Sequence, residues 1–154
     1  MNELIIRPFC REDCGMLASI HDAARREELH YAGLDAAFLP FCIAAERENF
    51  FQYTSVVAVI GGTPVAFAAY SEEELAWLYV HPSCKRQGIG RALVEYVRKE
   101  KGRMTAEVLV GNVPARRLYE ACGFCVTGTA EGRMPGNESF YVRVWEMSWN
   151  KNII

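Results

Sequence analysis

The stretch Lys85-Arg86-Gln87-Gly88-Ile89-Gly90-Arg91-Ala92-Leu93 determines the interpretation of the fold, because a strand pattern leads into it and a helix pattern leaves it. Upstream, Glu74 to His81 is mostly apolar and aromatic and ends at Pro82, which cannot donate to a strand ladder. Downstream, apolar residues recur at helical spacing from Gly88 to Lys101, and Gly102 is the expected cap.

A second strand pattern, Thr105 to Val110, completes a β-α-β unit, whose strands should lie parallel through a right-handed crossover. Ligands of such units bind beyond the strands' carboxyl ends, where the turn Lys85 to Gly90 is expected. Glycines at 88 and 90 allow a ligand to approach the backbone, and free N–H groups at the helix start favour an anion. Positive side chains favour a phosphate or pyrophosphate over a carboxylate: Lys85, Arg86 and Arg91.

The glycine turn departs from two common phosphate-binding motifs. A dinucleotide fingerprint requires a third glycine where Leu93 stands, and a Walker loop ends in Gly-Lys-Ser or Gly-Lys-Thr. A glycine turn before a helix is also common as a purely structural feature, so the surrounding sequence has to decide between the two roles.

The remaining elements follow from hydrophobic periodicity and turn residues. Two helices are expected between Glu12 and Phe51, interrupted near Gly33 and Pro40, and Gly61-Gly62 is typical of a hairpin turn. The other predicted segments are a strand at Leu4–Phe9, hairpin strands at Val56–Ile60 and Val65–Tyr70, a helix at Pro114–Ala121, strands at Phe124–Thr129 and Phe140–Ser148, and a loop at Ala130–Ser139.

Composition favours one globular domain. The chain has 154 residues, 51% of them hydrophobic, and we expect a single domain over residues 1–150. The formal net charge of −2, with both signs mixed along the chain, gives no reason to expect nucleic acid or an anionic membrane as a partner. No signal-peptide pattern and no apolar run of bilayer length occurs, so we expect a cytoplasmic protein without a membrane anchor.

The cysteines and histidines do not indicate a metal site. Without a secretory signal the thiols are expected to stay reduced. The Cys-x-x-Cys at Cys122 and Cys125 follows a helix, so no helix N-terminus activates its first thiol. His21, His30 and His81 lie far apart in the sequence without partners at ligand spacing, and we therefore expect no metal cofactor.

Two linked segments resemble the motifs of one enzyme family. Leu78-Tyr79-Val80-His81-Pro82, leading into Lys85 to Leu93, resembles the acyl-CoA-binding motif of the GNAT superfamily of N-acetyltransferases, although the family prefers glutamine or arginine at Lys85. The family's second motif is similar to Asn112, Ala115, Leu118-Tyr119-Glu120 and Gly123-Phe124. The resemblance implies a mixed α/β (α+β) fold, with a central, mostly antiparallel sheet of about seven strands and helices on both faces.

The resemblance also implies acetyl-CoA as cosubstrate. In the family, amides matching Arg86 to Arg91 hold the pyrophosphate, and the backbone matching Leu78 and Val80 pairs with the pantetheine arm where two central strands splay apart. Asn112 would bond to the pantetheine. The residues assigned in this way to coenzyme binding are Leu78, Tyr79, Val80, Lys85, Arg86, Gln87, Gly88, Ile89, Gly90, Arg91, Asn112 and Ala115.

Acetylation of an amine requires a base, because an amine with a pKa of about 10.4 is mostly protonated at neutral pH. The family's lysine-modifying branch carries its catalytic glutamate at the position of Glu74, fourteen residues before Gly88. A solvated carboxylate also explains Glu74, and Glu73 or a water chain are alternative bases. Strand alternation predicts that Glu74 shares a face with Ala76, Leu78 and Val80.

Tyr119 is the expected general acid, because the resemblance places it beside the thioester sulfur, where it would protonate the departing thiolate. An aromatic residue on the inner face of a helix is the alternative explanation. By the same resemblance, the N–H of Tyr79 or Val80 would polarise the thioester carbonyl. No base is apparent beside Cys84, so an acyl-cysteine route is not expected.

The sequence leaves the acceptor open. The helical region before the hairpin and the segment before the last strand carry mixed charges, which fit a small amine, an amino acid or a peptide or protein amine. A non-catalytic acyl-CoA sensor or interaction module is the alternative function. The aromatic last strand fits either a homodimer contact or a core strand.

Overall fold

The computed structural model describes residues 3–151, and within that range the chain forms seven strands and four α-helices. The predicted domain over residues 1–150 begins with two residues outside the described range, and a single domain stays a prediction. In chain order the elements are β1 (Leu4–Pro8), α1 (Cys14–Tyr31), α2 (Phe41–Arg47), β2 (Thr54–Ile60), β3 (Thr63–Tyr70), β4 (Leu75–Val80), α3 (Ile89–Arg98), β5 (Arg103–Leu109), α4 (Val113–Ala121), β6 (Cys125–Met134) and β7 (Asn137–Asn150).

The strands form two antiparallel sheets that meet in a V. Four strands lie in the order β1-β2-β3-β4 and three in the order β5-β7-β6. The sheets touch at one parallel bridge between Glu74 and Thr105, where the Thr105 N–H donates to the Glu73 carbonyl at 2.6 Å. Beyond this bridge β4 and β5 separate. The bridge confirms that the two strands run parallel, and their separation agrees with the expected splay.

The first sheet carries helices on both faces because its strands are apolar on both faces. In β2, Val57 and Val59 pack with α1 and α2, whereas Val56 and Ala58 pack with α3. Leu17 of α1 is fully buried in this core, and replacing such a leucine by alanine typically destabilises a protein by about 3 kcal/mol. This packing fixes α1, which carries several charged residues of the cavity, against the sheet.

The break between α1 and α2 agrees with the sequence. Gly33 follows α1 with a φ of +71°, and Pro40 is the N-cap of α2. The start of α1 is held by Asp13, whose carboxylate accepts two hydrogen bonds of 2.8 Å from Arg7 and one of 2.9 Å from the Cys10 N–H. The Arg7 guanidinium lowers the pKa of Asp13 to about 2.

A β-bulge in β4 overturns the predicted face of Glu74. Tyr70 pairs with Leu75 and Ala69 pairs with Trp77, which leaves Ala76 as the extra residue. The bulge changes the alternation, so Leu75 joins Leu78 and Val80 in the core beneath α3. Glu74 instead faces the α1 and α2 side, where its carboxylate lies near the Tyr53 hydroxyl. Alternation could not predict this, because one inserted residue reverses every side chain before it.

The predicted loop at Ala130–Ser139 is wrong. The segment is the end of β6 and the start of β7, joined by a tight turn at Pro135 and Gly136. Glycines at 132 and 136 suggested a loop, but the strand pairing between β6 and β7 overrides this local preference. The resulting hairpin reaches α2, where Arg47 donates to the Gly136 carbonyl at 3.0 Å.

The end of α3 differs from the prediction, whereas the position of β7 agrees with one of the two explanations of its aromatic residues. Helix α3 ends at Arg98, three residues before the predicted end, and Lys99 rather than Gly102 is its C-cap. Strand β7 lies in the centre of its sheet, so Trp145 and Trp149 contribute to the core without a second copy of the chain. The homodimer stays a prediction. Within residues 3–151, no helix combines the length and apolar character needed to cross a membrane.

Candidate functional site

A cavity of about 300 Å³ opens in the V between β4 and β5. Strands β4 and β5 form its walls, α4 closes one side, and α1, α2 and the β6–β7 hairpin close the other. Eight of the fourteen residues predicted for the site lie outside the turn at 86–91, and all eight line this cavity: Glu74, Leu78, Tyr79, Val80, Lys85, Asn112, Ala115 and Tyr119.

Strand β4 presents an open edge to the cavity. It pairs with β3 on one side, and along Leu78 to Val80 it has no strand partner on the other side among the described residues. Main-chain N–H and C=O groups on such an edge can pair with an extended ligand. The edge therefore offers the kind of contact expected for a pantetheine arm.

The turn before α3 exposes main-chain donors at the mouth of the V. Arg86 and Gly88 have φ values of +63° and +76°, and α3 begins directly after Gly88. The N–H groups of Ile89 to Arg91, in the first turn of α3, have no acceptor among the residues that the structure describes. Unpaired amides at a helix N-terminus attract an anion. Lys85 forms an ion pair with Glu27 and does not point its charge freely at this site.

Side chains in the turn are directed elsewhere. Ile89 is buried in the core, and Arg91 forms an ion pair with Glu95 on its own helix at 3.0 Å. A Cβ on Gly90 would lie 3.0 Å from the Leu118 side chain, so packing against α4 explains this glycine. A Cβ on Gly88 would meet nothing within 4 Å, so its left-handed φ is what requires glycine there. Gln87 is exposed to solvent.

Asn112 is buried and has partners on both ends of its amide. Its Oδ1 accepts from the Ala115 N–H at 3.3 Å and caps α4, and its Nδ2 donates to Glu28 at 3.2 Å. The capping bond explains why asparagine stands at the start of this helix. One proton of the Nδ2 group remains available toward the cavity, so a bond to pantetheine stays a proposal.

Tyr119 lies on the inner face of α4 with its ring 5.2 Å from the Phe124 ring, centroid to centroid. The residue is 6% exposed, and its hydroxyl has no hydrogen-bond partner within residues 3–151. Burial raises the pKa of Tyr119, and the nearby negative charge of Glu28 raises it further. The phenol is therefore held in its protonated form beside the cavity.

Two acidic residues at the apex of the V have different surroundings. The Glu74 carboxylate lines the cavity and accepts from the Tyr53 hydroxyl at 3.5 Å. Glu73 instead forms an ion pair with Arg103 at 2.9 Å on the surface, and it does not line the cavity. The geometry therefore favours Glu74 over Glu73 as a group that can reach a ligand.

Glu28 of α1 connects three elements of the site. It forms an ion pair with Arg25 on its own helix, accepts from the Tyr79 hydroxyl of β4 at 3.3 Å, and accepts from Asn112 at 3.2 Å. Arg25 also contacts the sulfur of Met134 in the hairpin at 3.8 Å. Burial and the Glu28 charge both raise the pKa of Tyr79. This network fixes α1 across the open end of the V.

Glu48 lines the same cavity but lacks such partners. Its carboxylate accepts no hydrogen bond and forms no ion pair with any residue that the structure describes. Burial raises its pKa to about 7, with Arg25 opposing the shift and Glu28 and Glu138 adding to it. The site therefore contains one carboxylate that changes charge near neutral pH.

Comparison with known proteins assigns the family. Residues 43–126, more than half of the chain, match the family described as the acetyltransferase (GNAT) domain. The chain belongs to the GNAT acetyltransferase family. The match begins within α2, covers every element from β2 to α4, and ends in the first residues of β6, so it includes the whole glycine turn.

Individual GNAT relatives agree in sequence over part of the chain and in fold over nearly all of it. The chain is 36% identical over 78 residues to the peptidyl-lysine N-acetyltransferase YiaC of Escherichia coli strain K12, covering 49% of this chain and 48% of YiaC. It spans about half the length of the curated relatives it matches.

A GCN5-related N-acetyltransferase from Rhodopseudomonas palustris superposes with a TM-score of 0.79 at 19% identity, covering 97% of both chains. The structure of yncA from Salmonella typhimurium with its cofactor acetyl-CoA gives a TM-score of 0.65 at 19% identity, and the alignment covers 98% of this chain and 95% of that one. These likenesses show the GNAT fold, as the sequence motifs predicted.

The sequence interpretation of this GNAT domain missed Glu48 and the role of Glu28. One local signal for Glu48 was present. A carboxylate at the C-terminal end of a helix opposes the helix dipole, and such conflicts with local preference concentrate at functional sites. No local signal identifies Glu28, because Asn112 and Tyr79 reach it from 84 and 51 residues away along the chain.

Proposed function

We propose that this chain transfers an acetyl group from acetyl-CoA to a primary amine by direct attack in a ternary complex. The observation that carries the proposal is an open β4 edge along the cavity, followed after the lining residue Lys85 by a turn whose amides at Ile89 to Arg91 have no acceptor among the described residues. The peptidyl-lysine N-acetyltransferase named among its relatives is consistent with an amine acceptor.

The chain's main-chain groups fit coenzyme A. The amides of Ile89 to Arg91 suit the pyrophosphate because they have no acceptor among residues 3–151, and the edge at Leu78 to Val80 suits the amide-bearing pantetheine. The Lys85 side chain would act near the phosphates after exchanging its Glu27 partner. When bound, acetyl-CoA supplies an activated thioester; the protein's part is to orient it, exclude water and move protons.

Glu74 is the proposed base. Its carboxylate faces the α1 and α2 side of the sheet, which is the side left for an acceptor when a coenzyme follows the β4 edge. The Tyr53 hydroxyl orients one of its oxygens. A carboxylate in this position would accept a proton from the acceptor ammonium, directly or through water, so that the neutral amine can attack.

Tyr119 is the proposed acid. A proton donor has to be protonated at the working pH, and burial together with the Glu28 charge raises the pKa of this phenol. Its hydroxyl would deliver the proton to the thiolate as coenzyme A leaves. Because a free thiol has a pKa of about 8.5, this step needs only modest help, and the expected contribution is about tenfold to a hundredfold in kcat.

The test separates transfer from binding. Glu74→Gln and Tyr119→Phe should each lower kcat for thiol release by at least about tenfold, while calorimetry shows an unchanged Kd for acetyl-CoA. Glu72→Gln and Tyr141→Phe are the matched controls, because both side chains are exposed and neither lines the cavity.

Binding of acetyl-CoA without thiol release from any amine would favour the sensor alternative. A Glu74→Gln/Tyr119→Phe double variant with wild-type turnover would refute the two assigned roles.

A further inference from the structure

Glu48 lies where an acceptor would enter rather than where the coenzyme turn lies. It is the C-cap residue of α2 and faces α1 and the β6–β7 hairpin. Its side chain packs close to Gly136, since a Cβ built on that glycine would lie 3.0 Å from Glu48 Cγ. The hairpin therefore has a glycine at the point where it passes over the carboxylate.

The basic residues that line the cavity are either paired with carboxylates or neutral. Arg25 is paired with Glu28, and Lys85 is paired with Glu27. The third basic residue of the lining is His21, and burial lowers its pKa, so its ring is neutral at pH 7. No unpaired positive side chain among the described residues that line the cavity is left to bind an acceptor's carboxylate.

The carboxylates of the cavity are in excess. Glu27 and Glu28 are paired, but Glu48, Glu74 and Glu107 form no ion pair within the described residues although all three line the cavity. Of these, Glu74 is near the Tyr53 hydroxyl and Glu107 lies at the apex of the V on β5. Glu48 is the unpaired carboxylate at the end of the cavity bounded by α1, α2 and the hairpin.

We propose that Glu48 binds the ammonium group of a cationic acceptor as it enters the cavity, before the amine reaches Glu74, and makes the site selective for alkylamines or lysine-like side chains over amino acids that carry a free carboxylate. This inference rests on the proposed acetyl transfer, because that reaction is what makes an amine an acceptor. The binding of a cation can nevertheless be measured without the reaction. A cation beside Glu48 offsets part of the excess negative charge of the cavity, whereas an acceptor carboxylate would meet uncompensated negative charge.

Ionisation of Glu48 should make the affinity for a cation depend on pH. Burial raises its pKa to about 7, so the carboxylate is mostly neutral at about pH 6 and mostly ionised at about pH 8. A cation binds the ionised form, and its affinity should therefore rise with pH through this window. The charged and titratable groups that face or sense this carboxylate are Arg25 and Glu28 of α1, Glu138 of β7, Tyr79 of β4, and Tyr53 before β2.

The direct test uses n-butyltrimethylammonium, a cation that cannot be acetylated, titrated into protein saturated with coenzyme A. Wild-type affinity should rise about tenfold from about pH 6 to about pH 8. Glu48→Gln should bind at least about tenfold more weakly at the higher pH and show no such rise. Glu46→Gln is the matched control, because this exposed carboxylate lies on the same helix and does not line the cavity. Equal affinity and equal pH dependence in wild type and Glu48→Gln would overturn the proposal.

A second measurement separates this inference from the proposed function. In thiol-release assays, n-butylamine should exceed 4-aminobutyrate, the same chain with a carboxylate, by at least about tenfold in kcat/KM. Glu48→Gln should raise KM for n-butylamine more than it lowers kcat, and Glu48→Asp should restore part of the loss. Thiol release with no Glu48 effect on KM or cation binding overturns the inference alone. Glu48-dependent cation binding without thiol release from any amine overturns the proposed function and leaves the cation site standing.

Discussion

The two ends of the cavity are built from different parts of the chain. At the end that we propose for the coenzyme, the groups available to a ligand belong to the main chain: the open edge of β4 and the amides of the turn. Side chains there serve the fold, as Ile89 does in the core and Gly90 does against Leu118. At the end that we propose for the acceptor, the available groups are side chains: Glu28 connects α1, β4 and the start of α4, and Glu48 after α2 lines the same cavity.

This difference explains why one end has a sequence motif and the other has none. A main-chain site depends on φ values and on a helix start, and both are specified by residues adjacent in sequence. A side-chain site depends on tertiary contacts between distant residues, and many combinations of residues can fill it. The coenzyme end should therefore be sensitive to backbone changes and the acceptor end to changes of charge.

The largest effect is expected from Gly88→Val. A β-branched residue is strained at a φ of +76°, so the turn should change shape and coenzyme A binding should weaken at least about a hundredfold, or about 2.7 kcal/mol. Gly62→Val is the control, since Gly62 has a φ of +79° and equal free space in the β2–β3 turn. It should lose similar stability and keep coenzyme binding. Equal binding losses in both variants would show that general destabilisation, not the turn, is responsible.

Glu28→Gln should have the next largest effect, on stability. Removing its charge leaves the mostly buried Arg25 without a counter-ion, and we expect a loss of about 2 kcal/mol in the free energy of unfolding. Arg25→Met should lose about 1 kcal/mol, because Glu28 keeps its hydrogen bonds from Tyr79 and Asn112. Urea denaturation with unchanged m-values would measure both. A larger loss in Arg25→Met than in Glu28→Gln would contradict this account of the network.

Gly90→Ala tests packing within the same motif. The added methyl would approach the end of the Leu118 side chain at 3.0 Å, so we expect a loss of about 1 kcal/mol in stability. Coenzyme binding should change less than about threefold, because the main-chain amides keep their geometry. Leu118→Val should be less harmful in the Gly90→Ala background than in wild type, which a double-mutant cycle measures. A hundredfold loss of binding in Gly90→Ala would place the coenzyme against this glycine instead.

The smallest effect concerns the pH dependence of stability. The pKa of Glu48 is about 7 in the folded chain, above its ordinary value of 4.5, so folding is favoured while the group is protonated and disfavoured once it ionises. Wild-type stability should fall relative to Glu48→Gln by about 1 kcal/mol as the pH rises from about 6 to about 7. Denaturation at the two pH values would measure this difference. Parallel curves would mean that Glu48 titrates normally.

Much of the fold could be predicted because local signals agreed with tertiary packing. The Gly61-Gly62 turn, the breaks at Gly33 and Pro40, and the β-α-β order each follow from residues adjacent in the chain. The failures arose where tertiary pairing overrode local preference. The polar segment with Gly132 indicated a loop, yet pairing between β6 and β7 makes it strand.

For the site too, positions that depend on local sequence could be located, and positions that depend on tertiary contacts could not. Positions of the turn and of β4 could be assigned because main-chain geometry repeats with the motif. The face of Glu74 could not be predicted, because the bulge at Ala76 depends on pairing with β3. The convergence of Glu28 and Glu48 on one cavity could not be predicted either, since it requires the packing of α1, α2 and the hairpin.

The most direct test of the central claim is a calorimetric titration of the wild type and Gly88→Val with acetyl-CoA, followed in the same cell by amines and a thiol assay. We predict binding at one site in the wild type, its loss in Gly88→Val, and thiol release when an alkylamine is added. Absence of acetyl-CoA binding to the folded wild type would contradict the assignment of the V and its glycine turn to the coenzyme.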